Sequence, residues 1–311
     1  SCCLRASDWR NNLKSGFIGI VGRPNVGKST LLNSILGEKI AITTDKPQTT
    51  RNSIRGIYTN LDESGDGVQF IFIDTPGIHK ARNKLGSFMT ETAISTFREV
   101  DVILFLVDDE IDKGPGDRYI TDMLSGIDTP KVLVINKMDT MDPDKYSRIY
   151  EAYDSMGIFE HIIGTSALNQ INVGELLSML EGMVDDGPMY FPEDMITDHP
   201  ERFIVSEIIR EKLLLYLKDE VPHGVAVEIE SYEEEGRLTR IGAVIYCEKK
   251  SHKGIIIGKD GKKLKGIGKS AREEIEALIG TKVFLQLWVK VRENWRDSDF
   301  ALSNFGYRDQ K

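Results

Sequence analysis

The eight residues Gly22 to Ser29, GRPNVGKS, constrain this chain more than any other stretch. They satisfy the pattern GxxxxGK[ST] at Gly22, Gly27, Lys28 and Ser29. The residues before them, from Gly16, read as a short buried strand, and those after them carry helical apolar spacing at Leu31, Leu32, Ile35 and Leu36. Strand, glycine loop and helix start are the context such a motif needs. Glycines let backbone N–H groups turn inward, and the helix N-terminus adds partial positive charge, so the stretch is built to hold phosphate. Gly22, Asn25, Val26, Gly27, Lys28, Ser29 and Thr30 form the expected contact set. Lys28 would reach the β- and γ-phosphates, and the Ser29 hydroxyl would ligate Mg²⁺.

A chain of 311 residues exceeds the usual size of one core, so two domains are expected. Charge is uneven along it. From residue 201 onward 21 Lys+Arg face 19 Asp+Glu, whereas the rest carries 19 against 30. The net charge of −9 argues against nonspecific nucleic-acid binding by the molecule as a whole. No run of about 18 apolar residues exists. Cys2, Cys3 and Cys247 form neither a metal spacing nor an even disulfide framework, which fits a reducing, intracellular setting. Residues 1–13 read as a disordered leader without a secretory apolar core.

After the first helix, Ile40 to Arg51 is polar, is interrupted by Pro47 and reads as a surface loop. Thr50 is the expected second hydroxyl for Mg²⁺, with Thr49 as the alternative. A strand at 68–73 ends in Asp74-Thr-Pro-Gly77. Asp74 would hold the metal through water, and the Gly77 N–H would sense the γ-phosphate. The apolar run Val102–Val107 reads as a parallel strand covered on both faces, and another at 131–135 ends in Asn136-Lys-Met-Asp139. Asp139 offers an acceptor-only carboxylate to the paired N1–H and N2–H₂ donors of guanine. Adenine would leave that charge unpaired at a cost of roughly 1–3 kcal/mol. Lys137 would lie against the base, Asn136 would tie this loop to the phosphate loop, and Ser166, Ala167 and Leu168 would approach the guanine O6 edge. Lys28, Thr50 and Gly77 form the expected catalytic set. Ile78, directly after Gly77, carries an apolar side chain that cannot orient a water, so slow intrinsic turnover is expected.

GRPNVGKS, PQTTR, DTPG, NKMD and TSA, in this order, resemble the five motifs of a translation-factor-class GTPase. Alternating strands and helices over 14–184 imply a doubly wound α/β sheet with nucleotide at its C-terminal edge. In similar GTPases the position of Asn25 ligates a monovalent cation, which makes K⁺ a candidate beside GTP/GDP and Mg²⁺.

Residues 185–200 hold three prolines and read as a linker. A helix is expected over 201–220 with Val205, Ile208, Ile209, Leu213 and Tyr216 on one side, then strands at 225–232 and 239–248. From Lys249 to Arg272 stand nine Lys or Arg and one acid, Asp260. Within this stretch Ile255-Ile-Ile257 closes on Gly258-x-x-Gly261; a helix burying Leu264, Ile267, Ala271, Ile275 and Leu278 follows, then a strand at 282–291. That order resembles an α+β type II KH domain over 201–311, in which a GxxG turn admits a single-stranded RNA backbone. Ile257, Gly258, Lys259, Asp260, Gly261, Lys262, Lys263 and Lys265 are the expected RNA contacts. A short helix carrying Trp295, Phe300, Leu302 and Phe305 is expected to pack on this domain.

A P-loop GTPase followed directly by a KH domain resembles the Era family. Further local matches are Phe191-Pro-Glu-Asp with Ile196-Thr-Asp, Ser206-Glu-Ile-Ile-Arg-Glu-Lys212 and Leu287-Trp-Val-Lys-Val291. The resemblance implies a GTP-dependent assembly factor for the small ribosomal subunit that holds single-stranded RNA near the 3′ end of the small-subunit rRNA. It implies a monomeric, cytoplasmic protein with weak peripheral contact to the membrane's inner face, although no amphipathic anchor is evident. Two rivals are a signalling or trafficking GTPase whose second domain binds protein, and a tRNA-modifying GTPase, for which Cys247 inside a strand is unsuited.

Overall fold

The computed structural model describes residues 12–307 apart from 47, 79, 80, 82, 110–113 and 220. The leader expected at 1–13, with Cys2 and Cys3, lies outside the described residues up to residue 11. Leu13 already belongs to the first strand.

The N-terminal half is a six-stranded sheet in the order β2-β3-β1-β4-β5-β6. Its strands are β1 (Leu13–Gly22), β2 (Ile54–Leu61), β3 (Gly67–Asp74), β4 (Val102–Val107), β5 (Lys131–Ile135) and β6 (His161–Gly164). Only the β2–β3 hairpin pair is antiparallel. Helices α1 (Lys28–Leu36), α2 (Lys84–Thr96), α3 (Pro115–Leu124), α4 (Pro143–Asp154) and α5 (Val173–Glu181) cover both faces. Every residue of β4 and β5 is buried, the pattern a parallel strand shows when helices cover both sides. Two apolar layers result: Ile18, Ile20, Leu31, Phe70 and Leu104 in one, Val21, Ile78, Phe105, Leu133 and Tyr153 in the other.

The segment 185–200 holds no helix or strand, yet it is fastened along the β2–β3 hairpin. Ile57 N donates to Ile196 O at 2.9 Å, so the edge strand β2 is covered rather than left open. Gln69 accepts from Tyr190 N and Phe191 N and donates to Phe191 O. Tyr190 packs edge-on against Phe17 at 5.0 Å.

The C-terminal half runs α6 (Glu201–Tyr216), β7 (Val225–Glu235), β8 (Leu238–Cys247), α7 (Lys250–Ile257), α8 (Lys262–Ile279), β9 (Lys282–Val291) and α9 (Asp299–Asn304). The sheet order is β7-β8-β9, antiparallel then parallel. Ile208, Ile209, Leu213, Ile267, Ala271 and Ile275 fill the layer between the helices and this sheet.

Several expectations need correction. The Ile255-Ile-Ile257 run is the last turn of a helix, not a bare apolar segment before the turn. Tyr216 is 40% exposed at the end of α6, where its hydroxyl meets Ser270 Oγ. Leu278 and Phe300 are exposed too, and Phe300 carries the Arg292 guanidinium on its ring instead of entering the core. The loop 40–51 is not a surface loop. Ile40 and Ala41 pack into the core of the N-terminal half, Ile42, Thr50 and Arg51 are buried too, and the loop bonds to the second half through Thr43 N to Glu211 and Arg51 to Val225 O. Among the described residues no helix is long and apolar enough to cross a membrane.

Candidate nucleotide site and nucleic-acid interface

Lys28 opens α1 with its side chain folded back over the loop, donating to Gly22 O at 3.3 Å and Arg23 O at 2.9 Å. The loop depends on its glycines. Gly27 has φ +101°, and a Cβ there would sit 2.2 Å from Asn136 Nδ2. A Cβ on Gly77 would meet Pro24 N at 2.7 Å, so the end of the DTPG turn lies flush against the phosphate loop.

Ser29, Thr50 and Asp74 come together although they are far apart in sequence. Ser29 Oγ donates to Asp74 Oδ2 at 2.6 Å and lies 2.9 Å from Thr50 Oγ1, which is 3.4 Å from the same carboxylate oxygen. Thr49 turns elsewhere, its hydroxyl donating to Lys46 O at 2.6 Å. Asp74 is fully buried, and its Oδ1 has no hydrogen-bond partner. Desolvation pushes its carboxyl up to about 6 against the pull of Lys28. Burial also lowers Lys28 to about 8, with Asp74 opposing. An orphaned buried carboxylate oxygen beside two hydroxyls and a desolvated ammonium suits a hard cation carrying phosphate. The residues present therefore fit Mg²⁺ and a nucleoside triphosphate.

Asn25, Gly27, Lys28, Ser29, Thr30, Thr50, Gly77 and Lys137 line one cleft. Val26 is buried, and Gly22 O accepts from Lys28 Nζ. Asn25 sits at φ +68° with its Nδ2 donating to Asp45 O at 2.6 Å. Asn136 is the brace: its Nδ2 donates to Val26 O at 2.9 Å, while its Oδ1 accepts from Thr165 Oγ1 and Ala167 N. Lys137, at φ +63°, pairs with Asp108 at 3.1 Å. Asp139 is exposed, Ser166 is buried, and Leu168 stands at the rim, 80% exposed. The Ala167 N–H donates to Asn136 Oδ1 at 3.1 Å, which ties this loop to the brace. Ile78 is buried in the core and its N–H donates to Gly22 O, which leaves no role for its side chain at the cleft.

The second site is the turn between α7 and α8. Gly258 has φ +70° and ψ 175°, a region open essentially to glycine alone, and a Cβ there would lie 2.7 Å from Lys263 Cβ. Gly261 is left-handed at φ +70° with open space around it, and Asp260 between them is also left-handed. Lys259, Lys262 and Lys265 are exposed, whereas Lys263 is half-buried against the turn. Ile257, Leu264 and Leu287 are partly buried against the core of this domain, with Leu287 Cδ1 3.3 Å from where a Cβ on Gly268 would sit.

The sequence reading assigned no role to Arg51, Arg210 or Asn33. Asn33 pins the entry of the loop, accepting from Ile40 N and Ala41 N and donating to Ala41 O. Arg210 donates to Thr49 O, and Arg51 is buried in the second domain. The arginine of PQTTR was the available signal.

The family model of 50S ribosome-binding GTPases matches residues 17–137, and that of KH domains matches 220–296. The chain is similar to GTPase Era of Alkaliphilus oremlandii, 58% identical over 94% of this chain and 99% of that one. With GTPase Era of Clostridioides difficile the identity is 55%, over 96% and 99%. A crystal structure of an Aquifex aeolicus Era variant bound to GDP and AlF4⁻ superposes with a TM-score of 0.90 at 39% identity, over 94% of this chain and 99% of that one. Era in complex with MgGDPNP and nucleotides 1506–1542 of 16S ribosomal RNA gives 0.90 and 39%, over 95% and 99%. The chain therefore belongs to the Era family: it is a GTPase that takes GTP and GDP with Mg²⁺ and carries a KH domain behind its nucleotide-binding domain.

Proposed function

We propose that this GTPase binds the 3′ segment of small-subunit ribosomal RNA through its GxxG turn and assists assembly of the small ribosomal subunit under control of its nucleotide. The observation that carries the reading is the presence, in one chain, of the Ser29–Thr50–Asp74 convergence and of a glycine turn between two helices flanked by exposed lysines. It is supported by the solved Era complex with a 16S rRNA segment.

In this reading Lys28 exchanges its two carbonyl partners for β- and γ-phosphate oxygens. Ser29 and Thr50 turn their hydroxyls, and Asp74 its unpaired oxygen, toward the metal. Mg²⁺ supplies charge neutralisation on the transferring phosphoryl group. The Gly77 N–H faces the γ-phosphate, and Asp139 selects guanine. Ile78 cannot orient water, so the free protein turns over slowly, below about 1 s⁻¹ in a single-turnover assay. Asn25, at the lip of the cleft, would offer its carboxamide oxygen to K⁺; unequal hydrolysis in K⁺ and Na⁺ at matched ionic strength is the expected result. A cytoplasmic monomer fits this role, and contact with the membrane's inner face rests on the family resemblance alone.

Gly261→Asp tests the RNA half. The position has room for a side chain, so folding and GTP hydrolysis should persist while affinity for a 3′ 16S rRNA fragment falls more than about tenfold at moderate salt. Normal RNA binding by this variant would overturn the assignment. RNA retained only at low salt, with no preference for this fragment, would favour a protein-binding second domain instead.

A further inference from the structure

Thr50 and Arg51, neighbours in the chain, send their side chains to different parts of the molecule. Thr50 faces Ser29 and Asp74, while Arg51 faces the second domain. There its Nη1 donates to Val225 O at 2.6 Å and Tyr307 Oη at 3.2 Å, and its Nη2 donates to His223 O at 3.1 Å. The guanidinium also lies over the Trp295 ring at 5.6 Å and the Tyr307 ring at 5.7 Å. Only 1% of Arg51 is exposed. On the other side of Thr50, Arg210 of α6 donates to Thr49 O while bonded to Glu207 at 2.5 Å and 2.8 Å. The metal-side threonine is thus held between two anchors, both in the KH half of the molecule.

We infer that Arg51 is a positioning residue for GTP hydrolysis, seated in a cage made by the start of β7, Trp295 and Tyr307, through which the second domain holds Thr50 over the phosphate site. The inference rests on the assignment of Thr50 to the metal. A planar fork with two carbonyl acceptors and two ring faces is a fixed geometry that an ammonium or an apolar chain does not reproduce. In GTPases the contact of a switch threonine with Mg²⁺ belongs to the triphosphate state, so losing the cage should weaken the hydrolytic state more than GDP binding.

The test compares full-length Arg51→Met, Tyr307→Phe, Thr50→Val and the double variant Thr50→Val/Arg51→Met. Single-turnover hydrolysis, the Mg²⁺ midpoint and GDP affinity are read for each. Arg51→Met should slow hydrolysis about tenfold and raise the Mg²⁺ midpoint, with GDP affinity held within about twofold. Tyr307→Phe keeps the ring and loses the hydroxyl, so it should shift both readings the same way by about two- to fivefold. Adding Arg51→Met to Thr50→Val should cost nothing further, since both act through one group. A parent rate in Arg51→Met, or parallel loss of GDP and GTP affinity, overturns the inference while leaving Thr50 in place. A parent rate in Thr50→Val instead removes the Thr50 assignment, and the inference with it. Should Arg51→Met fail to fold, an unchanged rate and Mg²⁺ midpoint in Tyr307→Phe overturn it.

Discussion

Asp74 answers two opposed demands. Binding a cation needs its carboxylate ionised, yet complete burial favours the neutral form and lifts its pKa to about 6. An acid whose folded pKa exceeds its unfolded value lowers stability as pH rises between the two, and the loss is complete above the folded pKa. A gap of about two units is worth roughly 3 kcal/mol in the nucleotide-free protein. Asp74→Asn should remove that cost, but Lys28 then loses the one carboxylate that opposes its own desolvation, which offsets part of the gain. A net stabilisation of about 1–2 kcal/mol near pH 7.5, vanishing near pH 4, is expected from thermal melts of the free protein. The same variant should lose Mg²⁺-dependent tightening of GTP. In the parent, that tightening should fade as pH drops through about 6. A melting temperature that is lower at pH 7.5, or equal at both pH values, would contradict the account.

Turns and helices show where sequence reasoning reaches and where it stops. The phosphate loop and the GxxG turn were legible because each needs glycine at fixed offsets. Gly27 has no room for a Cβ beside Asn136, and Gly258 occupies backbone space closed to other residues. The two glycines of the second turn are nevertheless not equivalent. Gly258→Ala should destabilise by about 1–3 kcal/mol, since it combines a strained backbone with a 2.7 Å approach to Lys263 Cβ. Gly261→Asn, left-handed in open space, should cost well under 1 kcal/mol. Urea melts of the two variants decide it; equal losses would mean that the turn is not held in this shape. Helix α7 was missed because three consecutive isoleucines carry no helical period and high β-propensity. In α6 the apolar spacing was legible, but the helix also buries Glu207, Arg210, Glu211 and Lys212. Charged residues on a helix read as a solvated face until a partner surface is known, and that partner is the loop carrying Thr50.

The contacts between the two halves lay beyond the sequence because they join residues far apart, and a motif residue such as Arg51 or Glu211 does not declare its partner. Lys39 pairs with Glu211 at 2.8 Å and Glu274 at 2.7 Å, Thr43 N donates to Glu211, and Lys46 donates to Leu214 O and Leu217 O. On the other flank, Leu85 and Met89 of α2 share an apolar cluster with Ala226, Trp295, Ala301, Leu302 and Tyr307, and Lys84 pairs with Asp299 at 2.5 Å. The exposed Lys84–Asp299 pair contributes little, about 0–1 kcal/mol, and salt screens it. The apolar cluster buries Leu85, Met89, Trp295, Ala301 and Leu302 almost completely and carries the larger share. The nucleotide-free chain should accordingly unfold in a single calorimetric transition, although each half has a core of its own. Leu302→Ala opens a cavity in the shared cluster and should remove about 2–4 kcal/mol from the coupling while leaving both main cores intact. Its heat trace should therefore resolve into two transitions. Lys84→Ala, acting on an exposed pair, should keep one. If Leu302→Ala still melts as a single peak at a lower temperature, the coupling resides in the buried arginines at the loop rather than in this cluster, and Arg210→Met is then the variant that should divide it.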